Sequence, residues 1–344
     1  LFFHLANIIT NWGSKDFLQR SFSKTPQKKV GDWQDMFVSR LPVLLGVFIV
    51  AFLMFEPQQG AFLSGCILFA YVSNAVLPII NDDRDYLAVI IIEFLAFAGA
   101  AGFLLYQSPL SVDELMILFT GYQLGRAMLY LLRYVSFFRF RNIQLKWSLL
   151  LVTLPFFFLA IAGFLQSKFD LYIFERFATD LELADYQIIS GFLVFSQALA
   201  TMILMPYVRN IYRMKKEALR KIVRFMMIAG IPIQLASVGA IYLTLTWFFD
   251  IQPDLVQLGL FFAIGYPSFN YAVHVFSAFS QQKEKGVLVV SVISALVNGL
   301  MSLILLSLDM GITGVLIAHA LSQVVALIGY RRNKLNEFTS QENQ

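Results

Sequence analysis

Nine stretches of helix length, nearly free of charge, lie at about 37–56, 60–80, 86–107, 112–132, 147–172, 186–208, 225–249, 255–279 and 286–306. With a tenth at about 311–330, they constrain this chain more than any other feature. A helix crossing the roughly 30 Å hydrocarbon core of a bilayer needs about 20 apolar residues. Lipid offers backbone N–H and C=O groups no partners, so a spanning segment is a helix or part of a closed barrel. Barrel strands run about 10 residues with alternating polarity, and these blocks do neither. Only 14% of the residues are charged and 58% are hydrophobic, against about a quarter charged in soluble domains. The chain reads as an all-α, multi-pass integral membrane protein. Its single cysteine, Cys66, falls inside a block. It excludes a disulfide framework and a Cys-based metal site and reads as ordinary packing.

Lys and Arg collect in alternate connections: Lys15 to Lys29, Arg84, Arg133 to Lys146, Arg209 to Arg224, Lys283 with Lys285, and Arg331 to Lys334. The intervening connections "EPQQG", "QSPLSVDE", "DIQPD" and "LDMG" hold none, and only Lys168 and Arg176 lie near the fifth. Short basic loops stay on the cytoplasmic side. The net charge of +4 is therefore a topology signal, attracted to the head groups of membrane lipids, and no nucleic-acid partner is expected. "FFRFR" at 137–141 reads as an interfacial anchor, and the polar tail "NKLNEFTSQENQ" as disordered.

The basic linker "SKDFLQRSFSKTPQKKVGDWQDMFVSRLP" precedes one helix and "RNIYRMKKEALRKIVRFMMIAGIP" another, each with a proline near the helix start, Pro42 and Pro232. Downstream, Pro57 and Asn74 are matched by Pro253 and Asn270 at one common offset, and the helices starting near 86 and 112 match those near 286 and 311. A helix schedule repeated in phase and in the same orientation points to two halves related by an axis along the membrane normal, a common build among transporters. The division expected is 1–140, an N-terminal lobe holding helices 2–6, and 141–344, a C-terminal lobe holding helices 7–12 with a short cytoplasmic tail. In that scheme the helix at 186–208 corresponds to one ending near residue 12. "LFFHLANIITNWG" is then expected to be the inner part of a second helix, the first helix and part of the second being absent. Gly13 and Ser14 read as its exit, followed by an interfacial segment with Phe17, Leu18 and Phe22 toward lipid and Lys15, Arg20 and Lys24 toward head groups.

"NWGSKDFLQRSFSK" with its basic linker, followed by "SLLLVTLPFFFLAIAGFLQSKFDLYIFERFATDLELADYQI", resembles the polysaccharide transporter branch of the multidrug/oligosaccharidyl-lipid/polysaccharide superfamily, which includes O-antigen flippases. The likeness runs through "MGITGVLIAHALSQVV" and is sharpest at Pro155, Asp170 and Tyr186, a seventh helix ending in Ser/Arg-x-Asp with a tyrosine about 16 residues on. Ala184 and Ile189 stand where that family often has Gly and Ala. The resemblance implies two pseudo-symmetric six-helix lobes around a central cavity, a MATE-like bundle opening alternately to each side of a bacterial cytoplasmic membrane. It implies a lipid-linked oligosaccharide as substrate, no ATP-binding motor, and a monomer.

Consistent with a non-enzyme, the chain has no G-x-x-x-x-G-K-[ST], H-E-x-x-H or Ser-His-Asp pattern, and no cofactor or metal is expected. Ionisable residues at membrane depth default to functional candidates. Glu93 lies about seven residues, roughly 10 Å, from the inner end of its helix, and Arg126 lies at similar depth on the next, so the two can pair, either as a static bridge or as part of a site. Arg40 sits nearer the membrane surface, as a snorkelling or phosphate-facing cation. Arg suits the bidentate phosphate contact that a diphosphate-linked substrate calls for. Asn74, Asn270 and Asn298 are candidates for the cavity lining or for interhelical bonds. Glu93, Asp170 and His274 are candidates for coupling to a proton or sodium ion, His274 because imidazole titrates near neutrality; His319 sits among small residues and reads as packing. Two other functions compete: a cation-coupled drug exporter, which favours an acidic, aromatic cavity, and a non-transporting membrane fragment.

Overall fold

The computed structural model describes residues 2–106, 111–140, 144–214 and 216–341, and among them it is helical with no strand. The first unit contains α1 (Phe2–Asn11), α2 (Ser14–Lys24), α3 (Lys29–Ser39), α4 (Leu41–Met54), α5 (Pro57–Asp83), α6 (Tyr86–Tyr106) and α7 (Val112–Arg133). Then come α8 (Trp147–Phe174), α9 (Asp180–Leu204), the single turn α10 (Val208–Ile211), α11 (Lys216–Phe248), α12 (Leu255–Ser280), α13 (Glu284–Leu306) and α14 (Gly311–Gln341). Part of the outer connection "QSPLSVDE", Arg141 of the aromatic anchor, and Lys215 lie outside the described residues.

Nine helices among the described residues are long and apolar enough to cross a membrane, as a multi-pass membrane protein requires. The block at 255–279 is not one of them, although α12 has 26 residues. Tyr266, Asn270 and His274 dilute its apolar character, and it packs on α9, α11, α13 and α14. A helix surrounded by protein can carry polar groups that lipid would reject. Where the chain turns on the uncharged side, α7, α9 and α12 each open with a capping box, formed by Ser111 with Glu114, Thr179 with Glu182, and Asp254 with Gln257. These side chains bond N–H groups that the first helical turn leaves unpaired.

By internal contacts the chain forms two compact units, Leu1–Ala160 and Ile161–Gln344. The boundary falls inside α8, beyond the linker near 140. Each unit repeats one neighbour pattern. In the first, α5 packs on α4, α7 and α1, and α6 on α7; in the second, α12 packs on α11, α14 and α9, and α13 on α14.

Several local expectations change. Leu18 and Phe22 of α2 do not face lipid: they are buried with Trp33, Met36, Val76 and Ile79. The apolar stripe of this amphipathic helix finds α3 and α5 before it finds the bilayer. Arg20 is buried with its guanidinium over the rings of Phe17 and Phe156. The turn between α1 and α2 needs Gly13, whose φ is 65° and whose missing Cβ would lie 2.5 Å from the Cβ of Phe156. Beside it Trp12 donates its indole N–H to the Leu150 carbonyl at 3.0 Å and stacks on Phe157. Pro42 sits at the start of α4, but Pro232 lies well inside α11, which absorbs its basic linker as helix. The polar tail continues α14 to Gln341, where the composition suggested disorder.

Candidate functional site

Within the first unit, α6 and α7 are antiparallel neighbours whose inner ends are tied by Asp85. Its carboxylate accepts bonds from Arg133 Nη2 at 2.9 Å, Arg133 Nε at 3.1 Å and the Tyr134 hydroxyl at 2.9 Å. Burial, reinforced by Asp85, pushes the Tyr134 phenol above its usual range.

That clamp sets Glu93 and Arg126 at matching depth, and the structure brings them together. Arg126 Nε donates to Glu93 Oε1 at 2.6 Å. The Tyr130 hydroxyl donates to the same oxygen at 2.9 Å and the Tyr122 hydroxyl to Oε2 at 3.2 Å. Tyr122, Arg126 and Tyr130 stand four residues apart, so three successive turns of α7 present their donors on one stripe. One carboxylate collects all three. The Arg126 guanidinium carbon also lies 5.7 Å from the Tyr130 ring centre, within cation–π reach. Arg126 is engaged through Nε with Glu93 and lies beside the Tyr130 side chain, and its own side chain is 17% exposed. Glu93 is 32% exposed. A guanidinium has five N–H donors, more than this carboxylate and its neighbours use, and can receive an oxyanion as well.

Arg40 is placed differently. It is 1% exposed, and its Nη1 donates to the carbonyls of Thr10 and Asn11 at 3.3 and 3.2 Å while Nε bonds the Met36 carbonyl. It thus caps the negative C-terminal end of α1 and lies 4.9 Å from the Tyr71 ring centre. Among the described residues Nη2 is buried without a partner. Asn74 is half-buried on α5.

In the second unit Asp170 is fully buried near the outer end of α8. The Tyr186 hydroxyl of α9 donates to its Oδ2 at 2.6 Å, and His319 Nδ1 of α14 lies 3.5 Å from the same oxygen. The other ring nitrogen of His319 faces Gln197 at 3.0 Å. The carboxylate is thus held from two other helices, by Tyr186 of α9 and by His319 of α14. A separate polar chain crosses nearby helices: Asn298 donates to the Gln166 carbonyl, Gln166 to Ser294, and Ser294 to the Ser322 carbonyl, at 3.0, 3.0 and 2.7 Å. Asn270 accepts from Arg331 at 3.0 Å, and His274 is half-buried on α12.

The candidates therefore separate. Glu93 and Arg126 form one cluster, Asp170 another, and Arg40, Asn74, Asn270, Asn298 and His274 belong to neither. Sequence reasoning missed Tyr122 and Tyr130, though their spacing around Arg126 was a usable signal, and missed His319 as the partner of Asp170. No family model matches the chain, and neither a curated protein nor a solved structure matches it.

Proposed function

We propose that this protein flips a lipid-linked oligosaccharide, such as a polyprenyl-diphosphate-linked polysaccharide or O-antigen unit, across a bacterial cytoplasmic membrane. It works by alternating access of two pseudo-symmetric lobes, in the manner of the polysaccharide transporters that the sequence resembles. The observation that supports this reading is Arg126, a partly exposed guanidinium on a membrane-spanning helix, held at Nε by Glu93. In the proposed cycle Arg126 takes the substrate phosphate, and Glu93 with the two tyrosines holds the guanidinium in place when the site is empty. Asp170, held from α9 by Tyr186 and from α14 by His319, serves as the site that couples transport to a proton or sodium ion.

Flipping of lipid-linked oligosaccharide in reconstituted vesicles tests this. Arg126→Ala should abolish transport and Arg126→Lys should retain part of it, because an ammonium keeps the charge and loses the fork. Normal flux from Glu93→Leu with Arg126→Leu would reduce the pair to a structural bridge and overturn the reading.

A second reading has its own support. Glu93 is the more exposed partner and lies between two tyrosines, which suits an organic cation in a drug exporter. Export of a cationic dye lost in Glu93→Gln and kept in Arg126→Ala would favour it.

A further inference from the structure

Asn298 makes no hydrogen bond to Asp170 among the described residues, yet the register of α8 and α13 brings the two within a turn of each other. Both helices start at the basic side, after Lys146 and after Lys283, so they run in the same direction. Asn298 Nδ2 of α13 donates to the Gln166 carbonyl of α8 at 3.0 Å. Beside it, a Cβ built on Gly299 would lie 2.3 Å from the Phe169 ring. Four residues on from the two partners of that bond stand Ser302 and Asp170. One helical turn, about 5.4 Å, carries both to the same level.

The oxygens at this level are not used up. Asn298 and Ser302 are both 0% exposed, and Asn298 Oδ1 and Ser302 Oγ have no hydrogen-bond partner among the described residues. Leaving buried polar groups unmet is costly. At Asp170, Oδ2 takes the Tyr186 hydroxyl and faces His319, while Oδ1 accepts the N–H of its own neighbour Leu171. A carboxylate oxygen has two lone pairs, so Oδ1 has capacity left.

We propose that Asp170 Oδ1, Asn298 Oδ1 and Ser302 Oγ bind one sodium ion. The inference rests on the coupling role proposed for Asp170 and names the ion. A proton needs only a titratable group and leaves the amide and hydroxyl oxygens without a purpose, whereas a hard cation uses all three. A buried water needs a space of its own size, and neither orphan oxygen is open to one; a bare sodium ion is smaller. Charge narrows the choice further. Calcium gathers about six to eight oxygens, carboxylates prominent among them. The only carboxylate of α8 and α13 besides Asp170 is Glu284, 18 residues before Ser302. One negative charge matches a monovalent ion.

The test is thermal unfolding of the full chain in detergent at constant ionic strength, with Na+ exchanged stepwise for choline or for K+. Na+ should raise the melting temperature saturably, and K+ should not. Ser302→Ala breaks no hydrogen bond of the side chain it removes, so it should melt like the wild type in choline. It should need at least about tenfold more Na+ for half the effect, the loss typical when a partner around a bound metal is removed. Asp170→Asn should lose the effect altogether; if it does not fold, Ser302→Ala decides alone. Ser307→Ala, at the exposed end of the same helix, is the control and should respond as the wild type does. Melting indifferent to Na+, equal shifts with Na+ and K+, or an unchanged Na+ response in Ser302→Ala would each overturn the proposal. Na+-dependent melting in a protein whose flux ignores Na+ would support the site and overturn the coupling role of Asp170.

Discussion

The hairpins α6–α7 and α13–α14 occupy corresponding places in the two units, and they are held together by different chemistry. In the first, Tyr130 on α7 donates to Glu93 on α6 at 2.9 Å. In the second, Tyr330 on α14 shares a 2.7 Å hydrogen bond with Ser291 on α13. Arg126 stands one turn before Tyr130, and at the matching place before Tyr330 stands Ala326, 2% exposed. Of their most apolar windows, 11% and 17% of residues are buried in α6 and α7, against 44% in both α13 and α14. A tyrosine bonded across the hairpin is thus common to both, while the ion pair is confined to the looser one. Close packing of two helices in this frame does not need charge, so the charge in the first unit asks for a different explanation. The second unit has its ionisable pair elsewhere, between α8 and α14, where Asp170 and His319 are 0% and 3% exposed.

This contrast can be broken in four places. The largest effect is expected for Asp170→Ala, which strips the buried Tyr186 hydroxyl and His319 of their shared partner. At about 1–3 kcal/mol for each of the two orphaned buried groups, the loss should be about 2–6 kcal/mol, read as thermal unfolding in detergent. Asp170→Asn keeps an acceptor and should lose less. Glu93→Ala comes next, at about 1–2 kcal/mol: bonds to charged groups are worth about 1.5–3, and partial exposure screens them. A loss larger than that of Asp170→Ala would reverse the comparison. Tyr330→Phe removes one neutral bond and should cost about 1 kcal/mol. The smallest effect on stability is expected from Glu93→Ser with Arg126→Ala, which writes the second unit's pattern into the first and leaves no charge unpaired. It should fold within about 1 kcal/mol of the wild type, because replacing both partners of a pair is far milder than removing one. Transport in the same protein should nevertheless be lost, and if unfolding and flux decline together the pair is structural.

The membrane class was legible because hydrocarbon thickness sets the length and apolarity of a spanning helix, and nine of the ten blocks met both among the described residues. The Glu93–Arg126 contact was legible for a related reason: depth along consecutive antiparallel helices is simple arithmetic, and two groups at one depth on neighbours can meet. Asp170 and His319 lie on α8 and α14, which are not consecutive, so depth alone could not pair them. The face of α2 was misread because a helix with Leu18 and Phe22 on one side looks the same whether that side meets lipid or protein. Arg40 looked like a snorkelling cation because its sequence neighbours do not reveal that the carbonyl end of α1 lies against it. In α12 the polar residues were visible, but their tolerance depended on neighbours that only the fold supplies.

The continuity of α11 has a mechanical consequence. Its 33 residues make a rod about 50 Å long, some 20 Å more than the hydrocarbon core is thick. The corresponding stretch of the first unit is interrupted between Ser39 and Leu41. Arg220, Lys221 and Arg224 ride on the overhanging part like ballast below a waterline, each worth about 1 kcal/mol against an anionic leaflet. The lipid charge of the inner leaflet therefore sets how deeply this rod is seated, and a push on its basic foot travels along one helix whose single weak point is Pro232.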